Sequence, residues 1–123
     1  MGGARGGLEG IFADNGSRLG DTMRPTVLSN VKDAYAIYVV GDSMEPRYYG
    51  GELAFINPQK PINRGSFVVV QYDNKGERNY IIKQFIKKTS EYIVLLQLNP
   101  EKEMEIGINL VYSVHRVVGS IDG

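Results

Sequence analysis

The sequence predicts one all-β domain of short strands behind a glycine-rich arm, and three observations carry that prediction. From Ala34 onward, runs rich in Val, Ile, Tyr and Phe are short and are separated by Gly, Pro, Asn and Asp. No segment sustains apolar residues at i, i+3 and i+4, so no amphipathic helix is expected. The chain has 123 residues and is 42% hydrophobic, enough for a single core without covalent staples.

The arm comes first, over residues 1–33, and the domain is expected over 34–123. Gly2, Gly3, Gly6, Gly7, Gly10, Gly16 and Gly20 fall in this opening stretch, with few consecutive apolar residues, which reads as an extended linker. The Met1-Gly2-Gly3 start suggests a fragment cut in the linker of something longer. A strand at 35–40 then runs into Gly41 and Pro46, where one helical turn is expected over 43–49. Gly50-Gly51 opens a strand at 52–57, closed by Asn57-Pro58. Asn63-Arg64-Gly65 precedes a strand at 66–72. Asp73-Asn74-Lys75-Gly76 is the clearest hairpin loop, because Asp, Asn and Gly tolerate left-handed backbone. Strands at 78–87 and 91–98 are divided by Thr89-Ser90, and Asn99-Pro100 ends the second. The last run, 111–121, is apolar on both faces, as an interior strand or a subunit interface would be.

Charge and composition exclude several functions. Lys+Arg and Asp+Glu are equal at 14 each, so the basic surface that a small nucleic-acid binder needs is missing. There is no cysteine and one histidine, His115, so no metal or other cofactor is expected. No apolar run approaches the ~18 residues of a membrane span, and no signal-peptide core opens the chain. Absent cysteine is compatible with a reducing compartment, and the expected location is the cytoplasm.

Two residues stand out chemically. Ser43 lies in the turn Gly41-Asp42-Ser43-Met44-Glu45-Pro46, and Lys83 interrupts the apolar side of Tyr80-Ile81-Ile82-Lys83-Gln84-Phe85-Ile86. On a strand, Ile81, Lys83, Phe85 and Lys87 would share one face. An amine held between Ile81 and Phe85 loses hydration of its charged form, which favours the neutral base. A serine hydroxyl becomes a nucleophile when such a base takes its proton. The duller alternatives are a lysine that runs its stem to the surface and a serine that caps a turn. Glu45 stands where a nucleophile elbow would carry its second glycine, so that motif is absent. Strand, glycine, serine and proline in this order can still leave backbone N–H groups near Asp42 and Ser43 to serve as an oxyanion hole. His115 is not expected to complete a triad, because adjacent Asp42 and Ser43 side chains diverge. Tyr48, Tyr49, Tyr80 and Tyr112 read as packing or a dimer face, since no basic groove accompanies them.

Five motifs in order, Gly41 to Pro46, Gly50-Gly51-Glu52-Leu53-Ala54-Phe55-Ile56, Arg64-Gly65-Ser66-Phe67-Val68-Val69-Val70, Ile82-Lys83-Gln84-Phe85 and Leu96-Gln97-Leu98-Asn99-Pro100, resemble the C-terminal domain of LexA and lambda-type phage repressors. Val117-Val118-Gly119-Ser120-Ile121 closes the same pattern, and the resemblance covers about residues 35–121. It implies a LexA/signal-peptidase-like fold of bent strands, with Ser43 as nucleophile and Lys83 as general base in cleavage of the protein's own N-terminal arm. It further implies a homodimer, activation by the RecA filament, and operator binding through a helix-turn-helix domain that this chain lacks. In that family the cut falls at an Ala-Gly bond, whereas here Ala4 is followed by Arg5. The expectation therefore divides between cleavage at Ala4-Arg5 and a domain that keeps the dyad but serves dimerisation and signal sensing. Two alternatives share the machinery: a UmuD-like accessory subunit of a translesion polymerase, and a signal-peptidase-like enzyme, which the missing membrane anchor disfavours.

Overall fold

The computed structural model describes residues 31–122, together with the backbone of two pieces of the arm. Those pieces are β1 (Gly3–Ala4) and β2 (Leu8–Phe12); the other strands are β3 (Tyr35–Val39), β4 (Leu53–Asn57), β5 (Phe67–Asn74), β6 (Glu77–Lys88), β7 (Tyr92–Leu98), β8 (Glu101–Gly107) and β9 (Val111–Ile121). All pair antiparallel in one sheet of order β1-β2-β3-β4-β9-β5-β6-β7-β8. The all-β expectation holds, and among the described residues the helical content is one 3-10 turn, Ile108–Leu110. No helix among the described residues is long and apolar enough to cross a membrane.

Alternation along the strands sorts the apolar side chains into cores on opposite faces. Val69 joins Ile37, Ile56, Ile82 and Val117 on one side, while Val68 and Val70 join Ile81, Ile93 and Leu95 on the other. A smaller group, Ala34, Ala36, Leu53 and Phe55, backs the β3–β4 end. The two-sided pattern of β9 is explained by its place between β4 and β5, where it joins the halves of the sheet. Register breaks at Glu9/Ile11, Phe55/Ile56, Gln71/Tyr72 and Phe85/Lys87 bend the sheet.

Three expectations change here. The hairpin loop is tighter than 73–76: Asp73 and Asn74 pair within β5, and the turn proper is Lys75 and Gly76, both at positive φ of 54° and 89°. The break at Phe85/Lys87 leaves Ile86 as an extra residue, so Lys87 stands opposite Val94, away from the face it was expected to share with Lys83. Strand β8 was not anticipated. Its Glu101-Lys102-Glu103 start is charged, yet Met104 and Ile106 pair with Leu95 and Ile93, and charge is characteristic of an edge strand. The expected arm over 1–33 lies mostly outside the described residues; the parts that are described pair as strands with each other and with β3.

Candidate active site

Ser43 stands in the connection from β3 to β4. The ends of this loop are pinned by hydrogen bonds from Val39 N–H to the Glu52 carbonyl (2.9 Å) and from Gly51 N–H to the Val39 carbonyl (2.8 Å). Inside it, Glu45 N–H donates to the Asp42 carbonyl, and Arg47 and Tyr48 N–H both donate to the Met44 carbonyl. The expected helical turn is thus a set of turns with one helix-like bond, Tyr48 to Met44. Met44 and Tyr48 are each 1% exposed and anchor the loop in the central core. Gly41 has φ +85°, which L side chains rarely adopt. A Cβ on Gly50 would come within 3.2 Å of the Gly41 carbonyl oxygen, so this close approach favours glycine.

Two residues with no role assigned from the sequence hold the loop in place. Asn99 N–H (2.8 Å) and Leu98 N–H (3.2 Å) donate to the Ser43 carbonyl, and Asn99 Nδ2 donates to the Asp42 carbonyl at 3.0 Å. On the other side, the Glu52 carboxylate accepts from Tyr49 N–H (2.6 Å) and from Ser120 Oγ (2.7 Å), tying the loop to β9. Asn99 and Glu52 were not legible as site residues, because the contacts to Asp42 and Ser120 that tie the loop to the rest of the fold are distant in sequence. In a planar trans peptide, C=O and N–H point in opposite directions. With the Asp42 carbonyl turned to Asn99, the Ser43 N–H is aimed to the opposite side of that peptide. Among the described residues, no hydrogen bond engages the Asp42 N–H.

Lys83 comes from β6, opposite Val68 on β5. It is 1% exposed, and its Nζ lies 3.1 Å from Ser43 Oγ. As an ammonium it donates to the hydroxyl oxygen; as a neutral amine it accepts the hydroxyl proton. Burial first, and the nearby Lys102 charge second, together push the Lys83 pKa down to about 8. At pH 7.5 roughly a quarter of such amines are neutral, against about one in a thousand for an unperturbed lysine. The surface-running alternative for Lys83 is therefore excluded. The arrangement brings together a hydroxyl, a largely desolvated amine and a fixed turn of backbone, the parts that acyl transfer requires.

The remaining candidates lie elsewhere. His115 hydrogen-bonds through Nδ1 to Tyr35 Oη at 2.8 Å and meets that ring edge-on, 5.7 Å between centroids; burial lowers its pKa. Burial likewise pushes the Tyr35 hydroxyl well above its ordinary range. Arg5 of the candidate Ala4-Arg5 bond lies outside the described residues, while Ala4 ends β1. Strands β1 and β2 both approach β6, which carries Lys83. Among the described residues, no three His, Asp or Glu side chains are grouped as metal ligands.

Comparison with known proteins gives the family of the chain. The chain matches the family described as Peptidase S24-like over residues 2–120. It is 38% identical over 123 residues to a protein named "Repressor protein C" from Rhizobium phage 16-3, with 96% of this chain and 47% of that protein covered. The chain thus spans about half the length of this curated relative. No solved structure matches it significantly.

Proposed function

Since the chain belongs to the Peptidase S24-like family, and its fold and motifs are those of a LexA-like or phage-repressor C-terminal domain, we propose that it cuts its own N-terminal arm with Ser43 and Lys83. The observation that carries this reading is the 3.1 Å approach of the desolvated Lys83 amine to Ser43 Oγ. Neutral Lys83 takes the hydroxyl proton while Oγ attacks the scissile carbonyl carbon. Backbone N–H groups at Asp42 and Ser43 hold the developing oxyanion. Lys83, now an ammonium, returns its proton to the leaving amine as the C–N bond breaks. Water then attacks the acyl-serine, with Lys83 again the base, and releases the new carboxylate. No co-reactant beyond water is required.

Ala4-Arg5 is the bond proposed for cleavage. The approach of β1 to β6 supports an arm that reaches the dyad. In the whole protein, we assign operator binding to a DNA-binding domain outside this chain, dimerisation to this domain, and triggering to a RecA filament that favours the cleavable conformation. The relative named as a repressor favours this reading over a polymerase subunit. The cytoplasm is the compartment in which such a repressor acts.

The test is the mass of the intact chain during incubation at alkaline pH. Two fragments summing to the parent plus one water are expected, and neither Ser43→Ala nor Lys83→Ala should produce them. Persistence of the intact wild-type chain would remove self-cleavage from the account and leave a dimerisation and sensing role.

A further inference from the structure

We propose a second site, a phosphate-binding pocket lined by Arg47, Lys60, Ser66 and Arg116, that takes the phosphoryl group of a small ligand. The chain carries no net charge, yet three cations meet around one concavity of about 320 Å³ that no acidic side chain lines. None of the three has a carboxylate partner among the described residues. Like charges gathered without a counterion repel one another, and an anion relieves that repulsion.

The pocket is also ordered in advance. The Arg47 guanidinium lies over the Tyr48 ring at 4.2 Å and near the Phe67 ring at 5.5 Å, which fixes its plane. Arg116 Nη1 donates to the Pro61 carbonyl at 2.9 Å, leaving its other N–H groups to face a ligand. Ser66 is only 9% exposed, and its Oγ accepts from Asn63 N–H at 3.0 Å. The Ser66 hydroxyl proton finds no acceptor among the described residues, and a phosphoryl oxygen in the pocket supplies one. Two held guanidiniums, an ammonium and a buried hydroxyl donor match the tetrahedral array of acceptors on a phosphate. The volume lies at the small end of ligand pockets, which fits one phosphoryl group with little attached. Ser43 and Lys83 do not line this pocket.

The experiment is a titration of the full chain, followed by amide chemical shifts at constant ionic strength. The probes are inorganic phosphate, a nucleoside triphosphate and a deoxyribonucleotide trimer. A saturable shift centred on residues 47, 60, 66 and 116 is expected from at least one probe. Arg47→Gln and Lys60→Gln should each weaken it about tenfold, the scale of one hydrogen bond to a charged group. Both side chains are exposed, and spectra remote from the pocket report that the variants fold. Saturation by inorganic phosphate alone identifies a free phosphate ligand; saturation only by the triphosphate or the trimer identifies a nucleotide. No saturable shift with any probe at about 10 mM, beyond the weak end of specific affinity, overturns the proposal. So does a shift of unchanged midpoint in the double variant.

Discussion

At 1% exposure, with its Nζ 3.1 Å from Ser43 Oγ, Lys83 pairs the least solvated amine of the described residues with a hydroxyl. Its apolar neighbours Ile81 and Phe85 announced a desolvated amine, and its position opposite Val68 delivers one. What the sequence did not reveal is the support around Ser43, because Asn99 and Glu52 act across 57 and 68 positions of the chain. Two outcomes follow at this scale. A base lowered from 10.5 to about 8 on folding binds fewer protons in the native state than in the unfolded state between those values. Stability should therefore rise with pH across that window, and the amine costs the fold most below pH 8. Lys83→Met should keep the fold and raise stability at pH 7, by up to about 3 kcal/mol, while abolishing cleavage; urea denaturation at pH 7 and pH 10 measures it, and a variant less stable at pH 7 contradicts it. Asn99→Ala removes the bond to the Asp42 carbonyl from an exposed position. It should cost only about 1 kcal/mol of stability yet slow cleavage about tenfold, because the turn carrying Ser43 loses a fixed partner. A loss of stability with an unchanged cleavage rate would assign Asn99 to stability alone.

At the level of elements, strands with β-branched runs and clear punctuation were legible, and those governed by partners were not. β3, β5 and β9 were foreseeable from their apolar runs, whereas β8 becomes a strand because β7 offers an edge to its Met104 and Ile106. The face of Lys87 was misplaced because a bulge cannot be read from alternation: Ile86 is extra only relative to β7. The loop between β3 and β4 is the element on which the site depends. Its entry through Gly41 at φ +85° makes a specific demand. Gly41→Ala should lower stability by roughly 1–2 kcal/mol through left-handed strain alone, a fall of several degrees in Tm. A melting curve superimposable on that of the parent would show that the loop tolerates a side chain there.

For the whole molecule, equal acidic and basic totals concealed a local segregation of charge at Arg47, Lys60 and Arg116 that only folding brings together. Among the described residues, the exposed apolar side chains Val40, Leu110, Tyr112 and Ile121 offer surface to a subunit interface. Sedimentation at micromolar concentration should give a dimer; a strictly monomeric boundary would contradict that assignment. The central claim is that a neutral lysine drives an intramolecular cut, and the first-order decay of the intact chain against pH tests it most directly. The rate should be independent of protein concentration, rise about tenfold per pH unit on the acid side, and level off near the Lys83 pKa of about 8. A flat profile, a midpoint near the ordinary lysine value, or decay that survives Lys83→Ala would contradict the account.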